Sequence, residues 1–433
     1  MELGTKPAIL VAAGNWWPLS ARMAIALNRA GCSVAAVCPP RHPLRYTSCL
    51  TGIFPLRQFR PRASLRAAIE FFAPDLIVPC DDRTVYQLHD LHARHPRLRV
   101  LIERSLGDPA GFSVTASRER LRSMAAAEDI DVPAGCEVES IAQAQEAFAR
   151  FAPVAVMKLD GTYGGDGVQI VGTRSEGAAA FRRLRSSLGL GTALKRSLVN
   201  QDTSALWMWG RREAARLTMQ QFVPGIPANI MVACWRGEVL GHVSVEVVSS
   251  QGPTGAANVV RLVEYPQFLR AAQRLAAVLG MSGFFGLDFV VDHRSGRMSL
   301  VEMNPRCTQL GHLQLPGQGD LAGILCERLT GCSRRLPDRP ISAPEIAFFP
   351  QAWRWSGDGQ PPSNAFQDIP WEDSQLVEAL KREPWRDTGV LGDIYHRLRK
   401  RRTAGAAEHS PPPASIRGMT CSPVDWRRRS EEG

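Results

Sequence analysis

The first hundred residues alternate short apolar runs with segments in which apolar side chains recur at helical spacing. The apolar runs are short enough to be buried strands and cover residues 8–13, 33–38 and 75–80. The helical segments cover residues 19–30, 64–72 and 84–93. Alternation of strands and helices is typical of a parallel sheet covered by helices. We therefore predict an N-terminal parallel α/β domain over residues 1–112.

The pattern changes after this region. A helix is predicted at 117–128, and the following strands cover residues 154–159, 230–234, 239–247, 284–291 and 298–303. Residues 113–333 are therefore predicted to form an α+β domain. Residues 334–400 form a C-terminal extension of unassigned role, with helical spacing at 372–382 and 391–401. Residues 401–433 contain runs of three Pro and three Arg and are typical of a disordered basic tail.

A polar pattern interrupts the last predicted strand of the second domain, where the sequence reads E-M-N-P-R. Alternate side chains of a strand share a face, so Glu302, Asn304 and Arg306 are expected on one side. A Gly-containing turn at 293–297 predicts a hairpin with the preceding strand, and a five-residue loop pairs residue 292 with 298 and Asp288 with Glu302. Adjacent carboxylates repel each other unless a cation lies between them, and oxygen ligands without His or Cys favour Mg²⁺ over zinc. The alternative is a solvent-facing polar strand edge.

A second polar pattern lies at residues 154–168. A predicted strand carries Lys158, and a loop with four glycines follows, at positions 161, 164, 165 and 167. Glycines let the backbone approach a phosphate group closely, and a neighbouring lysine can neutralise its charge. The alternative is a flexible hairpin turn. The loop lacks the GK[ST] sequence of a P-loop.

Three further segments carry weaker signals. The sequence M-Q-Q-F-V-P-G at 219–225 suits either a hinge between two lobes or an ordinary strand end. The pair Asp81–Asp82 follows a strand end, where α/β ligand sites tend to lie, although a solvated loop fits equally well. His312 favours a structural hydrogen bond over catalysis.

Composition adds limits to this picture. The formal net charge of +10 comes largely from Arg, since the chain has only five Lys, and it favours either a solvated surface or anionic ligands. No basic helix or aromatic-interleaved stripe favours nucleic acid. The ten Cys show no paired spacing, and the N-terminus lacks a signal-like apolar run, so a reduced, cytoplasmic protein is expected. No apolar run is long enough to cross a membrane.

In this order, the glycine loop after Lys158, the Gln220–Gln221 segment and the E-x-N-x-R strand resemble the ATP-grasp superfamily, over residues 5–330. The resemblance implies a pre-ATP-grasp domain over 1–112 and a two-lobed ATP-grasp domain with antiparallel sheets over 113–333, with lobes at 134–220 and 221–333. It implies that Asp288, Glu302 and Asn304 hold Mg²⁺, or alternatively Mn²⁺. It also implies that Arg306 acts on the acyl-phosphate and its oxyanion.

The resemblance further implies ATP as the cofactor. ATP-binding positions would be Arg120, Lys158, Gly164, Gly165, Gly167, Gln220, Gln221, Phe222 and Val223. Arg120 enters because it lies thirteen residues before Pro133, where the family usually has Lys. Thr254, Gly255 and Arg261 are candidates for the acid-substrate pocket, with a surface loop and a solvated Arg as the alternative.

The implied reaction is the joining of a small carboxylic acid to an amine through an acyl-phosphate, with release of ADP and phosphate. Carboxyphosphate chemistry on bicarbonate is an alternative, although the chain contains no biotin-accepting Met-Lys-Met sequence. A non-catalytic ATP-binding module is a further alternative. It is disfavoured because the sequence keeps Asp288, Glu302, Asn304 and Arg306, which a protein that only binds ATP would not need. The resemblance leaves a homodimer open and implies neither a nucleic acid nor a membrane as partner.

Overall fold

A computed structural model describes most of the chain up to residue 382. The described residues are 6–57, 59–161, 167–191, 194, 215–252, 255–333, 336, 340–355 and 361–382. The predicted tail at 401–433 and the predicted helix at 391–401 lie outside them. No helix within the described ranges is long and apolar enough to cross a membrane.

The N-terminal region forms a four-stranded parallel sheet, in the order β3-β2-β1-β4. Its strands are β1 (Ala8–Ala12), β2 (Ser33–Cys38), β3 (Gly52–Pro55) and β4 (Leu76–Pro79). The helices around it are α1 (Leu19–Arg29), α2 (Pro61–Phe72), α3 (Asp82–Arg94) and α4 (Arg99–Leu106). Strands β1, β2 and β4 are buried along nearly their whole length because helices cover the sheet. The predicted parallel α/β region is confirmed, and β3 is a strand that the pattern analysis did not identify.

Two short helices lead from this region to a four-stranded antiparallel sheet, in the order β5-β8-β6-β7. They are α5 (Phe112–Thr115) and α6 (Arg118–Ala127). The sheet contains β5 (Gly135–Glu137), β6 (Ala155–Leu159), β7 (Val168–Val171) and β8 (Leu217–Gln221). Helices α7 (Ile141–Phe151) and α8 (Arg174–Ser187) pack on it through apolar side chains such as Phe148, Phe181 and Leu184.

The largest sheet has seven strands, in the order β13-β12-β9-β10-β11-β14-β15. Its members are β9 (Ile226–Trp235), β10 (Glu238–Ser250), β11 (Ala257–Leu262), β12 (Gly283–Asp292), β13 (Arg297–Asn304), β14 (Glu345–Phe348) and β15 (Phe366–Asp368). The remaining helices are α9 (Pro266–Val278), α10 (Leu321–Thr330), α11 (Gln351–Trp355) and α12 (Ser374–Lys381). All neighbouring strands are antiparallel except β14 and β15, which are parallel.

The two faces of the large sheet pack against different partners. On one face, Phe268 of α9 stacks on Phe289 of β12, with ring centroids 4.1 Å apart. On the other face, Met231 and Val243 join a core that includes Met23 and Leu27 of α1. The N-terminal region and the large sheet therefore share one hydrophobic core, and side chains from both can meet at a common site.

The C-terminal extension is folded onto this shared core in its described part. Strands β14 and β15 lengthen the large sheet beyond residue 333. Asp368 accepts a hydrogen bond from Arg22 Nη2 at 2.5 Å and lies 2.8 Å from His312 Nε2. Both His312 and Asp368 are buried, so the structure supports the structural interpretation of His312.

Candidate active site

Two carboxylates lie side by side on strands β12 and β13. Asp288 pairs directly with Glu302, as the sequence predicted. The predicted loop was wrong, however, because Asp292 pairs with Arg297 and the hairpin loop has four residues, 293–296. A register shift between the Asp288 and Phe289 pairs leaves Val301 as the extra residue of a bulge. The bulge compensates for the shorter loop, and the two carboxylates therefore meet.

Asp288 is bound by two side-chain amides. Its Oδ1 accepts a hydrogen bond from Asn229 Nδ2 at 2.6 Å, and its Oδ2 accepts one from Asn304 Nδ2 at 3.1 Å. Burial, followed by the charge of Glu302, raises the pKa of Asp288 to about 6. Asn229 lies on β9 directly opposite Asp288. The sequence analysis missed Asn229 because nothing in the sequence indicated that β9 is the second neighbour of β12.

Arg306 is held in a fixed orientation by groups from two distant parts of the chain. Its Nη2 donates to Asn304 Oδ1 at 3.0 Å, and its Nη1 donates to the carbonyl of Cys307 at 3.3 Å. Its Nε lies 3.2 Å from Asp82 Oδ2. Asp82 is the first residue of α3, immediately after β4, so the carboxyl edge of the parallel sheet reaches the site.

The neighbouring Asp81 has a different role. Its side chain caps α3 by accepting a hydrogen bond from Thr84 N at 2.9 Å, and it also accepts one from Gly14 N at 2.5 Å. Asp81 and Asp82 therefore have different functions. Asp81 stabilises the loop after β1 and the start of α3, while Asp82 contacts the site.

Lys158 reaches the same place from the small sheet. It lies on β6, is only 8% exposed, and its Nζ donates to the carbonyl oxygen of Val301 at 3.1 Å. Burial lowers the pKa of Lys158, although Glu302 acts in the opposite direction. Lys158 thus spans the gap between the small sheet and the large sheet.

Arg118 is a further basic group of the site, and it was not among the residues predicted from the sequence. Its Nη2 donates to Glu302 Oε1 at 2.7 Å and its Nη1 to the carbonyl of Leu159 at 2.6 Å. Nη1 also lies 3.5 Å from Asp160 Oδ1. Arg118 opens α6, which Ser117 caps. Arg120, the predicted position, is exposed on the same helix, so the structure brings Arg118 and not Arg120 to the cluster.

No protein-family model matches this chain, and no curated protein matches it in sequence. Solved structures do match it. One is N5-carboxyaminoimidazole ribonucleotide synthetase in an ADP complex, with 15% identity and a TM-score of 0.54, covering 78% of this chain and 80% of that chain. Another is the biotin carboxylase domain of the Hydrogenobacter thermophilus 2-oxoglutarate carboxylase, with 14% identity and a TM-score of 0.56, covering 76% and 70%.

A third similar structure is the L-amino acid ligase from Bacillus licheniformis, with 15% identity and a TM-score of 0.56, covering 78% of this chain and 80% of that chain. The chain has the ATP-grasp fold. At these identities the likeness establishes the arrangement of strands and helices, and the chemistry must be argued from the residues of this chain.

The glycine loop of the ATP-grasp fold is only partly described. Gly164 and Gly165 lie outside the described residues. Gly161 has a positive φ of 76°, and the carbonyl of Gly167 accepts a hydrogen bond from Leu159 N at 2.9 Å. Lys158 pairs with Val168, so β6 and β7 form a hairpin, and residues 160–167 connect its two strands.

The predicted hinge lies at the junction of the two antiparallel sheets. Gln220 and Gln221 end β8, and the next strand, β9, begins at Ile226. Phe222 and Val223 therefore belong to the short link between the sheets. The backbone N–H of Gln221 donates to Ala134 O at 2.8 Å, and that of Phe222 donates to Val154 O at 3.3 Å. Contact of these four residues with adenine stays a prediction.

The predicted acid-substrate residues do not join the cluster in the described structure. Thr254 lies outside the described residues, and Gly255 lies in the turn between β10 and β11. Arg261 is 41% exposed and donates to Glu345 Oε1 at 2.8 Å.

Strand pairing explains why Arg261 lies elsewhere. Residues directly opposite each other in neighbouring strands share a face of the sheet. Arg261 pairs with Glu246, and Glu246 pairs with Ala228. Ala228 pairs with Phe289, the residue after Asp288. Arg261 thus belongs to the face that packs on α9, whereas Asp288 belongs to the opposite face.

The residues present fit a hard divalent cation. Within the described ranges, no three His, Cys, Asp or Glu side chains form a metal cluster. Asp288 and Glu302 supply carboxylate oxygens and Asn304 supplies an amide oxygen. Such a set of oxygen donors suits Mg²⁺ or Mn²⁺. Burial and the charge of Glu302 raise the pKa of Asp288 more than the charge of Arg306 lowers it. A cation bound beside Asp288 would favour its ionised form.

The raised pKa of Asp288 predicts an effect on stability. Because the folded state holds this proton more tightly than the unfolded state, the free energy of unfolding falls as the pH rises from about 4 to about 6. We expect Asp288→Asn to be more stable than the parent protein by about 2 kcal/mol at pH 7.5, without metal. The gain should shrink below pH 6 and vanish near pH 4. Urea unfolding in EDTA at several pH values measures it, and a gain that persists at pH 4 would contradict the assignment.

Proposed function

We propose that this chain is an ATP- and Mg²⁺-dependent ligase that joins a small carboxylic acid to an amine through an acyl-phosphate, releasing ADP and phosphate. One observation supports the proposal most strongly. Asp288, Glu302, Asn304 and Arg306 lie in one cluster with Lys158 of the small sheet and Arg118 of α6. The cleft beside this cluster is lined by Asp82, Arg118 and Glu302. Acidic oxygens beside convergent basic groups are what transfer of a phosphoryl group requires.

Each side chain has a role that its position supports. Asp288, Glu302 and Asn304 would hold Mg²⁺, which would supply neutralisation of the phosphate charge when bound. Lys158 and Arg118 would bind phosphate oxygens on the small-sheet side of the cleft, below the glycine loop. The glycine loop would exclude water, which would otherwise hydrolyse the acyl-phosphate.

Arg306 would stabilise the acyl-phosphate and the oxyanion that forms when the amine attacks. Its guanidinium is aligned by Asn304 on one side and Asp82 on the other, so it needs little reorganisation during the reaction. The acid would therefore lie between Arg306 and the phosphates, close to the carboxyl edge of the parallel sheet. This position replaces Arg261 as the expected anchor of the acid.

A screen of ADP release tests the proposal. Purified protein is supplied with ATP, Mg²⁺ and pairs drawn from a panel of carboxylic acids and amines, with bicarbonate as one acid. We expect ADP release that requires both members of at least one pair, and an amide product in equal amount. ADP release that depends on bicarbonate alone would favour carboxyphosphate chemistry. ATP binding without turnover across a broad panel would favour a non-catalytic module.

Nucleotide binding distinguishes the two candidate arginines of α6. We expect Arg118→Ala to weaken MgADP binding by about tenfold or more, since a buried guanidinium facing the phosphate site is lost. Arg120→Ala should change the affinity less than twofold because its side chain is exposed. Isothermal titration of both variants with MgADP measures the difference. A larger loss for Arg120→Ala would restore the assignment made from the sequence.

We also propose a cytoplasmic location. Buried cysteines such as Cys32, Cys80 and Cys234 are free thiols, as expected in a reducing compartment. The homodimer stays a prediction, to be checked by light scattering.

A further inference from the structure

Glu302 has a cationic partner within the protein itself. Arg118 Nη2 donates to its Oε1 at 2.7 Å, and the two side chains are 12% and 33% exposed. Glu302 is thus paired with a protein cation, whereas the two hydrogen bonds to the neighbouring Asp288 come from the side-chain amides of Asn229 and Asn304.

The position of Arg118 conflicts with full occupation of the metal site. A divalent cation on Glu302 and a guanidinium on the same carboxylate would lie within a few ångströms of each other and repel. Arg118 also donates to the carbonyl of Leu159 at the start of the glycine loop. Moving Arg118 away from Glu302 would therefore free both the carboxylate and a backbone oxygen beside the phosphate site.

We propose that Arg118 is the counter-ion of Glu302 while nucleotide is absent, and that it transfers to the nucleotide phosphates when nucleotide and metal bind together. This inference rests on the proposed function, because it requires that nucleotide and metal share the cleft. Arg118 and the divalent cation then compete for Glu302 until phosphate oxygens give Arg118 another anionic partner. Metal alone binds weakly, and nucleotide strengthens metal binding.

The coupling follows from linkage. If nucleotide increases the affinity for the metal, the metal must increase the affinity for nucleotide by the same factor. Arg118 is the residue that carries the coupling, since it is the group that changes its anionic partner. Removing its charge should strengthen binding of the metal alone and weaken binding of the nucleotide, two effects of opposite sign.

Titration with Mn²⁺ alone, followed by electron paramagnetic resonance, tests the inference. We expect the nucleotide-free parent protein to bind Mn²⁺ weakly, and Arg118→Ala and Arg118→Gln to bind it about tenfold more tightly, within the range usual for coupled sites. Arg118→Gln keeps a hydrogen-bond donor without the charge and serves if Arg118→Ala does not fold. Arg118→Lys keeps the charge and should bind Mn²⁺ nearly as weakly as the parent.

Arg122→Ala is the matched control. Arg122 lies one turn further along α6 and is paired with Glu119, with its Nε 2.9 Å from Glu119 Oε2. The Arg122→Ala substitution removes one positive charge from the same helix but leaves Arg118, the partner of Glu302, in place. The Mn²⁺ affinity of this variant should therefore equal that of the parent. An equal gain in Arg122→Ala and Arg118→Ala would contradict the inference, because the effect would then be one of net charge.

The inference and the proposed function fail in different ways. Mn²⁺ binding that is equally tight in the parent and in the folded Arg118 variants would overturn the counter-ion role, even if ADP binds. A parent protein that binds neither ADP nor ATP, with or without Mn²⁺, would overturn the proposed function. A gain in Mn²⁺ affinity on loss of Arg118, together with weaker ADP binding, supports both.

Discussion

Replacement of Asp288 by Asn, or of Glu302 by Gln, is expected to lower the rate of ADP formation by about 10³-fold or more. Each substitution keeps the size of the side chain and removes one of the two charges that would hold the metal. Among the residues that the structure describes, no cationic side chain lies within hydrogen-bond distance of Asp288, whose two bonds come from the amides of Asn229 and Asn304. A bound cation would therefore neutralise the negative charge of Asp288.

Asp292→Asn is the control for this substitution. Asp292 lies at the end of the same strand as Asp288, is half-buried, and accepts a hydrogen bond from Ser295 Oγ of the hairpin turn at 2.6 Å. We expect its rate of ADP formation to stay within about twofold of the parent, in line with the small effects of substitutions outside the core. Normal turnover in both Asp288→Asn and Glu302→Gln would end the metal assignment. Loss of activity in Asp292→Asn would indicate damage to the hairpin rather than to the site.

Replacement of Arg306 by Ala is expected to lower kcat by about 10²- to 10³-fold, the range found when one preorganised donor to an oxyanion is lost. Arg306→Lys should recover little of the loss. The guanidinium uses Nη2 for Asn304 and Nη1 for the Cys307 carbonyl, with Nε beside Asp82, and a single ammonium group cannot reproduce this planar arrangement. Steady-state ADP release with the best acid–amine pair measures both variants.

Two measurements make the Arg306 prediction specific. MgADP affinity should change little in Arg306→Ala, because its proposed partners are the acyl-phosphate and the oxyanion. Arg328→Ala is the control, since Arg328 pairs with Glu238 at 3.2 Å and both side chains are about half exposed. A drop in MgADP affinity as large as the drop in kcat would mean that Arg306 binds nucleotide and does not act on the reacting groups.

Local patterns in the sequence were sufficient for the strands that carry the site. Alternation of polar and apolar residues identified the β12–β13 hairpin, and Asp288 was correctly paired with Glu302. The loop length was nevertheless wrong, and the bulge at Val301 compensated for that error. A bulge leaves no clear mark in a sequence, because any residue type tolerates it when the neighbouring strands supply the remaining hydrogen bonds.

Contacts between distant segments could not be predicted in the same way. Asn229 lies opposite Asp288 only because β9 is the second neighbour of β12, an order that periodicity does not encode. Arg118 was missed because a fixed spacing from Pro133 was assumed. The N-cap residue Ser117 was a better guide, because the residue that follows it begins α6. That residue is Arg118.

Arg261 illustrates the remaining limit. Its neighbourhood of Gly and Pro suggested a substrate loop, but the pairing through Glu246 and Ala228 assigns it to the opposite face of the sheet. Only the order and register of the strands decide such a question, since a shift by one residue exchanges the two faces. Asp82 is the converse case, because its contact with Arg306 depends on how the parallel sheet packs against the large one.

The fate of the carboxylate oxygen tests the central claim most directly. An acid that supports ADP release is labelled with oxygen-18 in its carboxylate and turned over with ATP, Mg²⁺ and the amine. We expect each released phosphate to carry one labelled oxygen. A carboxylate oxygen attacks the γ-phosphate, and the same oxygen leaves with phosphate when the amine displaces it. Unlabelled phosphate together with formation of the amide, or release of AMP in place of ADP, would contradict the central claim.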